Sequence, residues 1–401
     1  MESLFLFNSF LQKKERFVSS NKKVALYVCG ITPYDVTHLG HAFTYTAFDV
    51  LVRYLRQKGY QVRYAQNLTD IDDDILLRAE KVKENWRALG EKNAERFLEE
   101  MRWLNNNPPD YYVRATDYIP EMIGVIQKLE RSGFAYANKG SVYFNVAKDK
   151  HYGELSKFSH QEMLVIANQR GNNPDDPLKH DPLDFVLWQK EKPGEPSWSS
   201  PWGMGRPGWH IECSAMAMRR LGATVDIHGG GSDLLFPHHE SSRAQSERAT
   251  GKPFARYWMH VGMMRYQGEK MSKSLGNLVL IADLQKHYRA NVVRIYLLSH
   301  HYRSAFEFFE GDLKEVQEKS ERFMSVWRAP SGQGNVLDYQ SFQKRFHEAM
   351  DDDLNTPQAL NVLDELAKAI LRGSSEKQRI AEAKAFLNEA FQVLGLMMEF
   401  R

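Results

Sequence analysis

Apolar residues near the start of the chain follow a strand-like pattern and then a helical one. Residues 23–28 form a short β-prone apolar run, whereas residues 42–58 repeat apolar side chains at helical spacing. A second strand-like run, residues 61–66, follows the helix. This order predicts an α/β fold, and it places residues 29–41 at the sheet edge where open α/β folds bind their ligands.

A segment of different composition interrupts this pattern. An amphipathic helix begins near Tyr118, and a hairpin of residues 134–137 and 141–144 follows it. The chain up to about Trp202 is then rich in Pro, Gly, Asp and Trp. We interpret residues 118–204 as an insertion that separates two halves of a nucleotide-binding domain.

The α/β pattern resumes after the insertion and then gives way to helices. Residues 224–227 predict a strand that ends in a glycine-rich loop, Gly229 to Gly231. Beyond Ala290 the apolar stripes are helical. The predicted domains are residues 1–117 with 205–262, two halves of a Rossmann-like nucleotide-binding domain; residues 118–204, an inserted connective domain; residues 263–328, which include a lysine-containing loop; and residues 336–401, a C-terminal helical domain.

Bulk composition narrows the class of protein. The chain has 401 residues with 53 basic and 51 acidic side chains, so its net charge is +2. This near balance argues weakly against a nucleic-acid partner, because such proteins usually carry a basic excess. The absence of a membrane-length apolar run and the presence of two cysteines predict a cytoplasmic protein without membrane contact or a disulfide framework.

The turn after the first strand concentrates groups that suit phosphate chemistry. It reads Cys-Gly-Ile-Thr-Pro-Tyr-Asp-Val-Thr-His-Leu-Gly-His from Cys29 to His41. A helix N-terminus offers backbone N–H groups and the positive end of a dipole, and Gly40 would let the backbone approach a phosphate. His38 and His41 would add two imidazoles at the same point.

Further stretches carry candidate chemistry. Cys213 lies in a predicted short helix, and His238 with His239 begins another. Neighbouring residues on a helix point apart, so we expect at most one of these histidines to join the two thiols. The loop of residues 269–277 carries two lysines spaced to grip polyphosphate, although a solvated charged loop has the same appearance.

Two of these stretches resemble the signatures of class I aminoacyl-tRNA synthetases. His38-Leu39-Gly40-His41 is similar to the HIGH motif, and Lys270-Met271-Ser272-Lys273-Ser274 is similar to KMSKS. Together with Cys29, the stretch Gly208-Trp-His-Ile-Glu-Cys213 and the glycines before His238, they resemble the cysteine-activating branch over almost the whole chain. The resemblance implies a Rossmann-like catalytic domain with an insertion and a C-terminal helical bundle.

Within that branch, several stretches resemble the mycothiol-pathway ligase, which joins cysteine to glucosaminyl-inositol, more than cysteinyl-tRNA synthetase. They are residues 30–42, 169–175, 268–280 and 300–304, and the chain also ends about where the ligases end. The resemblance therefore favours an ATP-dependent ligase that passes activated L-cysteine to a small amine acceptor such as an aminosugar. Charging of tRNA(Cys) is the alternative.

The resemblance also implies roles for individual residues. Zinc would be held by Cys29, Cys213 and His238, and Ser242 stands where the synthetases have a fourth ligand, which would leave one position for the substrate thiolate. The resemblance assigns catalysis to His38, His41, Lys270 and Lys273. It assigns the binding of ATP, with its Mg²⁺, to Gly40, Gly229, Gly230, Gly231, Lys270, Ser272 and Lys273. It assigns the binding of L-cysteine to Thr32, Thr69, Trp209 and Asp233.

Other classes of function compete with this interpretation. A closed structural zinc, with Glu240 or His239 as the fourth ligand, would stabilise the fold without binding substrate. A regulatory paralogue would hold zinc and bind nucleotide without turnover, but a pure binder does not require both signatures. A zinc hydrolase using residues 238–240 fails, because these histidines lack the i, i+4 spacing that puts two ligands on one helical face.

Overall fold

The computed structural model describes residues 3–271 and 276–398, with the backbone alone at Lys270. Its strands are β1 Phe5–Asn8, β2 Lys13–Arg16, β3 Lys23–Ile31, β4 Gln61–Leu68, β5 Tyr111–Arg114, β6 Ala135–Asn138, β7 Ser141–Phe144, β8 Phe185–Lys190, β9 Gly205–Pro207, β10 Val225–Gly231, β11 Ala255–Val261, β12 Met264–Tyr266, β13 Glu269–Lys270 and β14 Phe306–Glu307. Its α-helices are α1 Leu39–Gln57, α2 Asp73–Val82, α3 Trp86–Trp103, α4 Ile119–Arg131, α5 His160–Asn168, α6 Trp209–Leu221, α7 His238–Thr250, α8 Ile281–Leu284, α9 Ala290–Leu298, α10 Glu310–Arg328, α11 Gln340–Asp351, α12 Thr356–Ser375 and α13 Ala381–Leu394.

Five parallel strands form the central sheet, in the order β11-β10-β3-β4-β5. Side chains alternate across it, because successive residues of a strand point to opposite faces. Leu26 and Val28 of β3 join the core that α1 covers, whereas Tyr27 and Cys29 join the core that α6 covers. A sheet buried on both faces explains the continuous apolar run in β3, and it confirms the predicted Rossmann-like α/β fold.

The turn between β3 and α1 depends on a close approach of two strands. A Cβ atom at Gly30 would lie 1.5 Å from the carbonyl oxygen of Asn67, so any larger residue would push β3 away from β4. The Gly30 N–H also donates to Asn67 Oδ1 over 2.8 Å. This contact brings the ends of the two strands together, beside Cys29.

The glycine-rich stretch after residue 227 is part of a strand, so its prediction as a loop is wrong. Gly229 pairs with Met259 on one side and with Val28 on the other, inside β10. A Cβ atom at Gly229 would lie 2.2 Å from the ring of Phe48 on α1. Glycine at this position therefore allows α1 to pack on the sheet.

The inserted segment and the C-terminal helices flank this core. Strands β6 to β9 form an antiparallel sheet, and α10 to α13 pack on one another and on α9. The predicted domain limits stay predictions. No α-helix in the described ranges is both long and apolar enough to span a membrane.

A buried arginine joins the C-terminal helices to the sheet. Arg294 of α9 is 1% exposed and donates to the carbonyl oxygens of Leu394 and Leu104 and to Asn106 Oδ1, over 2.6, 2.7 and 2.6 Å. It also forms an ion pair with Asp49 of α1. We call Arg294 and these four partners, Asp49, Leu104, Asn106 and Leu394, the Arg294 hub.

Candidate metal centre and active site

Two thiols and an imidazole meet at the carboxyl edge of the central sheet. Cys29 lies near the end of β3, Cys213 lies in α6 and His238 is the first residue of α7. The two Sγ atoms are 3.6 Å apart, and His238 Nε2 is 3.3 Å from Cys213 Sγ. All three side chains are buried. We call these three residues the thiol cluster.

The spacing of the thiol cluster fits a tetrahedral zinc ion. Zinc–sulfur bonds of about 2.3 Å at tetrahedral angles separate two sulfur atoms by roughly 3.8 Å. The observed sulfur separation of 3.6 Å is close to this value, whereas a disulfide bond would be about 2.05 Å long. Two soft sulfur donors with one imidazole nitrogen also suit zinc chemically.

The two cysteines have opposite proton affinities. Burial raises the pKa of Cys29 well above its ordinary value, and the neighbouring Cys213 raises it further. Burial also acts to raise the pKa of Cys213, but the hydrogen bond from Cys29 and the nearby His238 lower it well below its ordinary value.

A second histidine of α7 lies close to one of the two thiols. His239 Nε2 is 3.2 Å from Cys29 Sγ, and His228 Nε2 is 3.6 Å from the same sulfur. These three residues form another group with metal-ligand spacing. Only His238 has ligand spacing to both cysteines, which agrees with the expectation that at most one of these two histidines joins the two thiols, and His239 reaches Cys29 alone.

A chain of hydrogen bonds extends from Cys29 to the N-terminal strand region. His239 Nδ1 lies 2.8 Å from His260 Nε2, and His260 Nδ1 lies 2.8 Å from Ser9 Oγ. Burial lowers the pKa of His260 to about 4. A neutral imidazole donates a hydrogen bond through one nitrogen and accepts one through the other. If the Ser9 hydroxyl donates to His260 Nδ1, His260 Nε2–H donates to His239 Nδ1, and His239 Nε2–H then donates to the Cys29 sulfur.

Glu240 and Ser242 point away from the metal position. Glu240 Oε2 accepts hydrogen bonds from the backbone N–H groups of Leu155 and Ser156, over 3.0 and 2.8 Å. Ser242 Oγ donates to the carbonyl oxygen of His210 over 3.4 Å. Glu240 thus holds the inserted segment against α7, which argues against a closed zinc site that uses this carboxylate.

The predicted ATP-binding turn begins α1. His38 caps the helix, with Nδ1 accepting from the Gly40 N–H over 3.1 Å, and its ring stacks on His41 with centroids 3.8 Å apart. A Cβ atom at Gly40 would lie 2.9 Å from the His38 ring, so this glycine makes room for the imidazole. The Lys270 side chain, Ser272 and Lys273 lie outside the described residues.

Predicted cysteine-pocket residues lie near the thiol cluster. The Trp209 ring stacks on His238 with centroids 4.5 Å apart. Thr69 Oγ1 accepts from the Asn67 side chain, whose Oδ1 is 3.6 Å from Cys213 Sγ. Two further residues sit at the same edge, Thr32 with Oγ1 3.5 Å from an Asp72 carboxylate oxygen and Asp233 in the turn after β10.

The sequence did not single out several polar groups around the cluster. His228 Nδ1 is buried without a hydrogen-bond partner among the described residues. The buried Glu212 carboxylate interacts with Thr69, and the buried Tyr27 hydroxyl interacts with Cys213. Burial also raises the pKa of Glu212 well above its ordinary value. Such groups are costly to leave unpaired, so this region resembles a site that is completed by bound partners. The position of Glu212 next to Cys213 in the sequence was the signal that could have identified it as a residue of the site.

Comparisons with known proteins now assign the family. Residues 16–318 match the model of the tRNA synthetases class I (C) catalytic domain, and residues 345–399 match the DALR domain. Among solved structures, Mycobacterium tuberculosis methionyl-tRNA synthetase in complex with methionyl-adenylate aligns with a TM-score of 0.66 at 15% identity, over 92% of this chain and 88% of that one. This structural likeness concerns the fold alone. The chain therefore has the catalytic fold of the class I tRNA synthetases.

Curated relatives narrow this class. Cysteine–tRNA ligase of Haemophilus influenzae (strain PittGG) is 45% identical over 99% of this chain and 86% of its own length. The corresponding figures are 42%, 98% and 87% for the Thermococcus gammatolerans enzyme and 48%, 93% and 81% for that of Legionella pneumophila (strain Corby). The chain belongs to the family of cysteine-type class I tRNA synthetases, and it is a ligase.

These relatives overturn the expected aminosugar acceptor. Cysteine–tRNA ligases match nearly the whole chain at 42–48% identity, and the C-terminal helices match the DALR domain. The main prediction of a cysteine ligase for a small amine is therefore wrong. It relied on short stretches such as residues 30–42, and on a charge balance that does not show where basic side chains gather in space.

Proposed function

We propose that this protein activates L-cysteine with ATP and transfers the cysteinyl group to tRNA(Cys). The observation that carries the proposal is the thiol cluster, which lies at the ligand-binding edge of a class I synthetase sheet. The relatives that match most of the chain are cysteine–tRNA ligases, which supports the same substrate and acceptor.

Selection of cysteine over serine requires more than pocket shape. The two amino acids differ by one atom, and pockets discriminate poorly between near isosteres. Cys29, Cys213 and His238 would hold zinc, which when bound would offer a coordination position that a thiolate fills far better than a hydroxyl does. Trp209 stacks on His238 and would restrain this ligand and the space beside it.

In the first reaction, a carboxylate oxygen of cysteine attacks the α-phosphorus of ATP, and pyrophosphate leaves. His38 and His41 lie at the N-terminus of α1, where the helix dipole and backbone N–H groups favour phosphate. We assign them, with Lys270 and Lys273, to stabilising the charge that builds on the phosphoryl oxygens. Mg²⁺ would accompany the ATP phosphates.

In the second reaction, a terminal hydroxyl of tRNA attacks the cysteinyl carbonyl carbon, and AMP leaves. The match of residues 345–399 to the DALR domain supports tRNA as the acceptor. These residues include α12 and α13, and α13 is tied to α9 and α1 through the Arg294 hub. The acceptor-binding helices would thus be fixed relative to the catalytic sheet.

Two assays test the proposal. Cysteine-dependent exchange of pyrophosphate into ATP measures activation, and charging of a tRNA(Cys) transcript with labelled cysteine measures transfer. We expect exchange with cysteine, far weaker exchange with serine, and rapid charging. His41→Asn should slow exchange, whereas His287→Asn, an exposed histidine on the same chain, should not.

The outcomes separate the remaining possibilities. Absence of exchange in a zinc-loaded protein would contradict activation and would favour a nucleotide-binding regulator. Exchange without charging of tRNA(Cys) would contradict the acceptor while leaving activation intact. Equal exchange with serine would contradict the proposed role of the thiol cluster in substrate choice.

A further inference from the structure

A cavity lies on the face of the central sheet opposite the thiol cluster. It has a volume of about 180 Å³ and is bordered by α1, β4, α3, the loop after α3 and the start of β5. Tyr64 and Gln66 of β4 border it and project toward α1, whereas their neighbour Ala65 joins the core on the Cys29 side. The cavity is therefore separate from the proposed active site.

The size of the cavity matches a small ring. A water molecule occupies about 30 Å³ of liquid, and an engineered cavity of about 150 Å³ in another protein binds benzene. Four aromatic rings border the space, those of Tyr45, Tyr64, Phe97 and Tyr112. Tyr45 and Phe97 meet edge to face with centroids 5.1 Å apart, which is a favourable geometry for a wall that receives another ring.

The wall also contains polar groups without partners. The Tyr64 hydroxyl donates to Gln66 Oε1 over 2.8 Å and so fixes the orientation of the Gln66 amide. Gln66 Nε2 and the Tyr112 hydroxyl are then buried without a hydrogen-bond partner in the described part of the chain. Each such group costs stability until an acceptor or a donor reaches it.

The charge beside the cavity is compensated. Asp49 borders the space, but its carboxylate is paired with Arg53 at 2.8 Å and with buried Arg294. It also accepts the Asn107 N–H over 2.9 Å. The other charged residue on the border, Arg102, is exposed to solvent. A ligand inside the cavity therefore meets aromatic rings and unpaired neutral polar groups, not an unbalanced carboxylate.

We propose that this cavity is a binding site for a small uncharged aromatic molecule that carries a hydrogen-bond acceptor. The ring fills the space among the four aromatic side chains, and the acceptor meets Gln66 Nε2 or the Tyr112 hydroxyl after a small adjustment of the wall. The proposal does not depend on the acceptor or the metal assigned above.

A side chain of the cavity wall also contacts the backbone of Cys29. The Tyr45 hydroxyl donates to the carbonyl oxygen of Cys29 over 3.1 Å, and the Tyr45 ring forms part of the cavity wall. Gln66 is paired in register with Val28, the residue before Cys29. A ligand that shifts either side chain would thus act on the strand that carries a predicted metal ligand.

Benzamide is a suitable probe, because it combines one ring with a carbonyl acceptor, and benzene is its matched control without an acceptor. Binding is measured by ligand-observed NMR and by calorimetry on the full-length protein. We expect saturable binding of benzamide and about tenfold weaker binding of benzene. Leu98→Trp, which places an indole in the cavity, should abolish binding of both.

A second pair of variants tests the amide. Gln66→Leu keeps the volume but removes the donor, so benzamide should bind about tenfold less tightly, which corresponds to about 1.4 kcal/mol. Gln61→Leu, at the exposed start of the same strand, should bind like the wild type. Thermal unfolding monitors the fold of each variant, and Met101→Trp replaces Leu98→Trp if the latter does not fold.

Three results would overturn the proposal. They are the absence of saturable benzamide binding, unchanged binding in the folded cavity-filling variant, and equal affinity for benzene and benzamide. The last result would show a void that accepts any ring, without the polar recognition that defines the ligand class.

Discussion

Two buried polar regions of this protein differ in whether their hydrogen bonds are satisfied. In the Arg294 hub, the guanidinium donates to backbone carbonyls, to Asn106 and to Asp49, and Asp49 in turn accepts from Arg53 and Asn107. Around the thiol cluster, His228 Nδ1 has no hydrogen-bond partner among the described residues, and burial raises the pKa of the Glu212 carboxyl well above its ordinary value. One region is complete within the chain, whereas the other has unused bonding capacity.

This difference separates a structural role from a binding role. Burial of a charge is tolerated when its partners are supplied by the fold, as around Arg294. Unpaired groups reduce stability and persist where a ligand or metal completes them. Four variants test this comparison.

The largest effect is expected at the thiol cluster. Cys213→Ala removes a sulfur donor, so the protein should lose stoichiometric zinc and cysteine-dependent pyrophosphate exchange together. Metal analysis and the exchange assay measure these losses. Ser246→Ala, in the same α6–α7 interface, is the control and should retain both. Full zinc content in Cys213→Ala would contradict the assignment of this ligand.

Chemistry at the phosphates should be separable from metal binding. Lys273→Ala should slow exchange by roughly two to three powers of ten, because one lost charge contact in a transition state costs about 3–4 kcal/mol. Zinc content should not change. Lys286→Ala, an exposed lysine paired with Asp283, is the matched control. Loss of zinc with Lys273→Ala would mean that the two functions are coupled.

Disruption of the Arg294 hub should affect stability. Arg294→Met leaves a buried carboxylate less compensated, so the free energy of unfolding should fall by about 3–5 kcal/mol. Chemical denaturation measures it. Arg345→Met removes an exposed pair with Glu365 and should cost less than about 1 kcal/mol. Similar costs for the two variants would show that the hub is not a structural centre.

The smallest effect is expected at Ser9. Ser9→Ala breaks the chain of hydrogen bonds through His260 and His239 to Cys29, so zinc affinity should fall about tenfold, as is typical for groups that orient a metal site from outside. Competition with a chelator measures the affinity. Ser19→Ala, at a partly exposed serine whose hydroxyl donates to the Lys23 carbonyl oxygen, should leave it unchanged. An unchanged affinity in Ser9→Ala would remove Ser9 from the site.

The sequence predicted the fold well because its signals are local. The strand before Cys29, the helix after it and the hairpin at residues 134–144 follow directly from apolar spacing. The exact start of a helix is less clear in the sequence: Asn355 caps α12, since its side chain accepts from the Gln358 N–H, although the adjacent Thr356 is also of a capping residue type. Either side chain can cap a helix, so the pattern did not distinguish them.

The candidate site was predicted less completely because its contacts are distant in the chain. Cys29, Cys213 and His238 were accessible through motif resemblance, and the structure brings them together. The positions of His260 and Ser9 depend on how β11 and the N-terminal segment pack, which local spacing does not report. The glycines at 229–231 were interpreted as a loop because strand pairing with β3 and β11 is invisible in a single segment.

The separation of the two cysteines in the chain also has a consequence for synthesis. The two sulfurs lie 3.6 Å apart although the residues are 184 positions apart in sequence, and ribosomes add roughly 5–20 residues per second. Cys29 therefore waits on the order of 10–40 s before Cys213 has been made. Throughout this interval β3 lacks its neighbour β10, so the growing chain exposes a thiol and an unpaired strand edge, and chaperones have a defined window in which to protect both.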